Sequence, residues 1–368
     1  MTAPQNPFDR ITTLDLLRLV AALAVVGFHY FFRGAAADGY LNVAYPSVAT
    51  VAIYGYLGVN LFFLISGFVI AWSAEGRSWQ AFAVARFARL YPGFVTCMAI
   101  SWIVLAAAQH PAFPVTMKQF VANLIIFSPA LGEPFVDGVY WSIVLELIFY
   151  GWVTLAIMAG VFSRLKLQLV AGWLAMCALN EFYLGSEALR LLFVTEYGAL
   201  FAAGILVQHI LANGRSTETL MLFAAAFLLS CNTMTVGRDW MQDHYGISIP
   251  LAHLVLANAA IHAMLVGAVI SRERLAATPL ILMAGGITYP LYLLHQHVGY
   301  VAINALAPRL EAWGAALATI LLMLLASWAV WRFVERPARR RIVAVLGPAM
   351  NRLAARLSRG AATAGPRA

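Results

Sequence analysis

The sequence predicts an all-α, polytopic integral membrane protein of about ten transmembrane helices with both termini cytoplasmic. Three observations carry that expectation. Of the 368 residues, 62% are hydrophobic and 11% charged, against roughly 45 to 50% apolar and about 25% charged in soluble domains. Apolar runs of about 20 residues, the length that crosses a ~30 Å hydrocarbon core, recur along the whole chain. The basic residues also divide unevenly between successive loops, which is how orientation in a membrane is set.

Ten apolar runs are read, at about 11–33, 50–72, 90–108, 138–162, 167–184, 188–211, 217–236, 249–271, 280–305 and 310–333. The weakest is 167–184, LQLVAGWLAMCALNEFYL, barely long enough to span. With the N-terminus inside, eighteen Lys and Arg fall on the cytoplasmic side, among them Arg10, Arg86, Arg89, Lys166 and the nine arginines after residue 331. Five fall outside, namely Arg33, Lys118, Arg190, Arg238 and Arg309, and Arg18 lies within the first run. The formal net charge of +8 therefore reads as topology and not as a nucleic-acid surface.

The loop 109–137 is the longest on the outer side. It carries Pro111, Pro114, Pro129 and Pro134, and its middle, VTMKQFVANLIIF, reads as a short interfacial helix able to cap a cavity. Cys97, Cys177 and Cys231 lie in apolar runs without metal-ligand spacing and read as small hydrophobes, so no metal site is expected. No soluble domain, repeat or long linker is visible. One membrane domain at 1–340 and a basic cytoplasmic tail at 341–368, in contact with anionic membrane lipid, account for the chain.

An ionisable side chain inside a span costs a few kcal/mol on insertion scales and is a functional candidate by default. Arg18 and His29 are eleven residues apart, which makes three turns plus about 20°, so they share one helix face ~16 Å apart. Arg18 then lies toward the cytoplasm and His29 in the outer half. Glu146, in VYWSIVLELIFYGW, sits about eight residues, or ~12 Å, below the outer end of its span. His295, in ITYPLYLLHQHVGY, lies about fifteen residues from the inner end of its own. His29, Glu146 and His295 are thus expected at one depth as a set of proton-transfer groups. His209, His253, His262 and His297 read as structural or interfacial.

On the inner side, FAVARFARLYP places Arg86 and Arg89 three apart and on one face. With Arg18 at similar depth, their guanidiniums are suited to gripping phosphates. Gly55, Gly58 and Gly67, with Asn60 and Ser66, lie in YGYLGVNLFFLISGFVIAW and read either as close helix packing or as a ligand passage.

These blocks, in order, resemble the acyltransferase 3 family of integral membrane O-acyltransferases. The resemblance rests on LDLLRLVAALAVVGFH (14–29), GVNLFFLISGFVI (58–70) with RFARLYP (86–92), YWSIVLELIFY (140–150), and ITYPLYLLH (287–295) followed by WRFVERPARR (331–340). It implies an acyl-CoA donor used from the cytoplasm, acetyl by default, and a hydroxyl acceptor on a glycan or lipid-linked sugar, in a bacterial inner membrane. It implies no permanently bound cofactor and no nucleic acid, and leaves a homo-oligomer open. By carry-over, His29 is the essential histidine and Arg18 its partner; Arg86 and Arg89 are the Arg-x-x-Arg pair. Glu146 matches the acid of the Trp-Ser-x-x-x-Glu block and His295 closes the Tyr-x-x-x-His element. Leu16 and Leu19 stand where members often have glycine.

The expected mechanism is a relay in which Arg86, Arg89 and Arg18 hold the donor while an extended pantetheine arm covers much of the ~16 Å to His29. His29 then serves as general base or as transient acyl carrier, with Glu146 orienting it. A polytopic transporter or flippase of a polysaccharide export system is the alternative, since buried charges in ten spans also describe a carrier. A scaffold subunit of an export machine is a third reading, and it predicts no dependence on acyl-CoA.

Overall fold

The structure is a computed structural model that describes residues 11–36 and 38–363, with side chains as far as residue 352. Its helices are α1 (Thr12–Phe31), α2 (Pro46–Ala52), α3 (Gly58–Ala74), α4 (Trp79–Ala108), α5 (Met117–Asn123), α6 (Trp141–Met158), α7 (Lys166–Leu179), α8 (Glu187–Phe193), α9 (Thr195–Asn213), α10 (Thr217–Tyr245), α11 (Leu251–Ile270), α12 (Pro279–Leu294), α13 (His297–Ala329) and α14 (Arg336–Thr363). No strand occurs among the described residues. The chain is an all-α, multi-pass membrane protein.

Nine helical stretches among the described residues are long and apolar enough to cross a membrane. The tenth run is different in kind. Helix α12 has 16 residues, ~24 Å at 1.5 Å per residue, and falls short of the hydrocarbon core on its own. A straight helix of the length of α13 would instead be ~50 Å, more than the core. Its backbone breaks at Glu311 (φ 57°, ψ 177°). The run 280–305 therefore corresponds to α12 plus the first turns of α13, and 310–333 to the piece beyond the break. The short run 167–184 is completed by a π turn, Asn180–Leu184, that extends α7.

Local chemistry sets the ends. Ser78, Ser216 and Thr278 cap α4, α10 and α12 by accepting from backbone N–H groups one turn on. Thr116 and Gln119 form a reciprocal capping box on α5, which is the short helix expected in the 109–137 loop.

In a membrane the interior is held by close packing, and small residues let helix backbones approach. Helix α9 is the most enclosed span, with 72% of its apolar window buried, whereas α7 and α10 bury only 22%. The α3–α9 contact explains the contrast. A side chain on Gly67 would strike the Phe201 backbone, and one on Gly204 would strike the Leu64 carbonyl. Packing, and not passage of a ligand, accounts for Gly67.

Helix α14 begins at Arg336 and packs along α4, so residue 340 falls inside a continuous helix. Arg10 and the last five residues of the basic tail lie outside the described residues.

Candidate active site

The last turn of α1 carries His29 to the end of α12, where His295 closes the helix. His295 Nε2 lies 3.0 Å from His29 Nδ1, with both rings buried. His29 Nδ1 is also 2.9 Å from the Val25 carbonyl, and His295 Nδ1 is 2.8 Å from that of Tyr292. A carbonyl oxygen only accepts, so each Nδ1 carries the hydrogen. His295 Nε2 then shares the His29 Nδ1–H with the Val25 carbonyl as a second acceptor. The bare nitrogen left over is His29 Nε2, on a ring that lines a cavity of about 610 Å³. These tautomers follow from the partners of each nitrogen.

Two groups that the sequence alone does not single out hold this pair in place. The Tyr30 hydroxyl donates to the His295 carbonyl at 2.7 Å. Asp137, fully buried, accepts from the Val139 N–H at 3.2 Å and from the His297 N–H at 2.9 Å, so one carboxylate caps both the entry to α6 and the start of α13. The Asp-Gly step just ahead of an apolar run was the available signal for it. His297 stacks on Phe113 at 4.1 Å beside the same junction.

A second, smaller cavity of about 110 Å³ is lined by Arg18, Arg86, Arg89, Ser66, Glu146 and Tyr150. The three arginines expected together are together. They differ in how far they are already engaged. Arg89 Nη1 donates to Glu335 Oε2 at 2.8 Å, and Arg18 Nη1 lies 3.6 Å from Asp15 Oδ1. Arg86 Nε is buried and makes no hydrogen bond. Glu335 comes from the π turn Val330–Glu335, a partner that no local spacing reveals.

Glu146 is in this cavity and not beside the histidines. Its Oε1 accepts from Ser66 Oγ at 2.8 Å and from the Tyr150 hydroxyl. The Ser142–Tyr292 contact, 2.7 Å between the two hydroxyl oxygens, registers α6 against α12. Glu146 lies four residues beyond that level on α6, toward the arginine cavity, and His295 three residues beyond it on α12, toward His29. The two are therefore ~10 Å apart along the helices. The expected single-depth set resolves into a histidine pair and a separate carboxylate, because residue counts from span ends ignore where helices are pinned to one another.

The two cavities share Val59 and Tyr292 as lining residues. The larger one also presents Arg33, Trp141, Arg190, Tyr197 and Trp240. Aromatic faces with a few charged and hydrogen-bonding groups suit a polar, ring-shaped ligand. Three histidines lie away from this pair in local contacts: His262 Nδ1 contacts the Asn258 carbonyl, His253 the Tyr54 hydroxyl and His209 the Asn213 amide. Among the described residues no group of three or more His, Cys, Asp or Glu is placed to hold a metal ion.

The model of the acyltransferase 3 family, described as an acyltransferase domain, matches residues 11–332. The chain belongs to that family. Among curated relatives, it is 32% identical to acyltransferase MdmB of Streptomyces mycarofaciens over 148 residues, 38% of this chain and 38% of that protein. It is 26% identical to the exopolysaccharide production protein ExoZ of Rhizobium meliloti over 303 residues, 78% of this chain and 90% of that protein. Protein 2 in the picA locus of Rhizobium radiobacter is 35% identical over 105 residues, 26% of this chain and 46% of that protein. The chain thus spans little more than a third of the length of MdmB and most of that of ExoZ. No solved structure matches it.

Proposed function

We propose that this acyltransferase moves an acyl group, acetyl by default, from acyl-CoA on the cytoplasmic side of a bacterial inner membrane to a hydroxyl of a glycan or glycolipid on the other side. The observation that carries the reading is the pair of cavities, one lined by three arginines and one by His29, with Val59 and Tyr292 common to both. The division of basic residues, eighteen against five, supports a cytoplasmic N-terminus, which puts the arginine cavity on the donor side. The name of ExoZ, a protein of exopolysaccharide production, supports a glycan acceptor.

A cavity of about 110 Å³ admits a phosphate group or the thioester end of the donor, not a whole CoA. The nucleotide therefore stays at the cytoplasmic mouth, where Arg86, with an unfilled donor, takes phosphate oxygens through charge-assisted hydrogen bonds. Arg89 and Arg18 add positive potential while tied to Glu335 and Asp15.

Transfer then runs past Tyr292. As general base, His29 Nε2 removes the proton of the acceptor hydroxyl while its oxygen attacks the thioester carbonyl. The C–O bond forms, the C–S bond breaks, and the thiolate leaves to be protonated as free CoA. As acyl carrier, the same nitrogen attacks first and the hydroxyl displaces it. In either course the Val25 carbonyl and His295 Nε2 hold the hydrogen on His29 Nδ1 and leave His29 Nε2 bare. Glu146, with Ser66 and Tyr150, shapes the donor cavity.

The experiment is acetyl-CoA binding to the purified full chain, compared with an Arg86→Ala, Arg89→Ala double variant. Binding that the double variant loses is expected. Absence of acyl-CoA binding by the parent protein overturns the reading in favour of a carrier or scaffold.

A further inference from the structure

Arg33 sits four residues beyond His29, in the 3₁₀ turn that follows α1, and lines the same cavity. That spacing is one helical turn, ~6 Å along the axis. It is one of only five basic residues on the side of the membrane where positive charge is scarce. Its Nε is buried and makes no hydrogen bond. The carboxylate facing it, Asp38, lies 3.6 Å from that nitrogen, beyond hydrogen-bonding reach, and is shared with His244 at 3.2 Å. The guanidinium is held 5.8 Å from the Trp240 ring, so it is positioned with its Nε–H still unfilled.

The other charged groups of the cavity are arranged differently. Arg190 is committed to Glu181 at 3.1 Å and to Glu187 at 2.6 Å. Glu187, on α8, and Glu196, on α9, make that wall acidic. Positive charge with spare hydrogen-bonding capacity is thus confined to the end of the cavity beside the catalytic histidine. A negative group on a bound ligand is drawn to Arg33 and repelled from the α8–α9 wall.

The geometry points to an anionic acceptor: Arg33 binds a carboxylate or phosphate carried within about one sugar ring of the hydroxyl that is acylated. This rests on the acceptor reading of the larger cavity given above. The shared chemistry is a pair of anionic oxygens meeting a guanidinium. Its two sources are an acidic sugar and the phosphate of a lipid-linked sugar.

The test uses the purified full chain in detergent, titrated with methyl glucuronide, methyl glucoside and glucose 1-phosphate and followed by tryptophan fluorescence, since Trp141 and Trp240 line the cavity. The expected result is that the glucuronide or the phosphate binds at least about tenfold more tightly than the neutral glucoside. Arg33→Gln abolishes that preference and leaves glucoside binding unchanged. Asp38→Asn, which removes the competing carboxylate, raises affinity for the anionic probes and keeps the test alive if Arg33→Gln does not fold. Preference for the phosphate over the glucuronide assigns the lipid-linked source, and the reverse assigns the acidic sugar. Equal binding of charged and neutral probes, or a preference that survives Arg33→Gln, overturns the proposal. Binding of none of the three by a protein that still transfers acetyl from acetyl-CoA overturns this site alone, whereas absence of acetyl transfer overturns the enzyme reading.

Discussion

The Tyr292 hydroxyl lies 2.7 Å from Ser142 Oγ, at the level where the arginine cavity and the histidine cavity share a wall. On one side of that contact α6 continues to Glu146 in the arginine cavity, and on the other α12 continues to His295 beside His29. On the proposed route, a group passing from donor to acceptor passes Tyr292, which lines both cavities. Tyr292→Trp, which enlarges the shared wall, lowers acetyl transfer more than about tenfold, whereas Tyr292→Phe costs only the hydrogen bond, about 1 kcal/mol of stability. Acetyl-CoA binding to both variants separates a blocked path from a damaged donor site, since binding stays intact in each.

His295 acts through His29. His295→Leu removes the side-chain acceptor for His29 Nδ1–H, leaving only the Val25 carbonyl, and lowers kcat by about tenfold, with KM for acetyl-CoA unchanged. His295→Gln, which retains an acceptor, recovers part of the loss. Steady-state kinetics in reconstituted vesicles check this. Equal loss in the two variants marks His295 as packing only.

The donor arginines divide by engagement. Arg86→Ala raises KM for acyl-CoA by about tenfold or more, the scale of one charge-assisted hydrogen bond, with little change in melting temperature. Glu335→Leu leaves the partly exposed Arg89 guanidinium without its carboxylate and costs about 1 to 3 kcal/mol, seen as a lowered melting temperature. The contrast between a binding defect and a folding defect is the expected signature.

The α3–α9 contact is the packing prediction. Gly204→Val places a side chain against the Leu64 carbonyl and destabilises the protein by about 1 to 3 kcal/mol or more. Thermal unfolding in detergent measures it, and Gly172→Ala, where a side chain meets nothing within 4 Å, is the neutral control.

The helical membrane class was legible because a ~30 Å apolar solvent leaves its mark on composition over every 20 residues. The arginine group was legible too, since Arg86 and Arg89 lie three apart on one helix and Arg18 belongs to the same side. What sequence did not convey was contact between helices distant in the chain. Glu146 was placed by depth alone, and depth says neither where α6 is pinned to α12 nor which neighbours surround a residue. Glu335, 246 positions from Arg89, and Asp137, 160 from His297, complete the site through pairings that no local period encodes. The break of α13 at Glu311 was equally silent, since an apolar run reads the same straight or broken.

The most direct measurement is transfer of radiolabelled acetyl from acetyl-CoA to glycan in membranes containing the parent protein or His29→Ala, with folding of both verified by size-exclusion profile and melting temperature. Abolished transfer by a folded His29→Ala protein is the expected result, because the variant lacks the bare Nε2 of the ring that lines the larger cavity. Full transfer by that variant would contradict it and remove His29 from the chemistry.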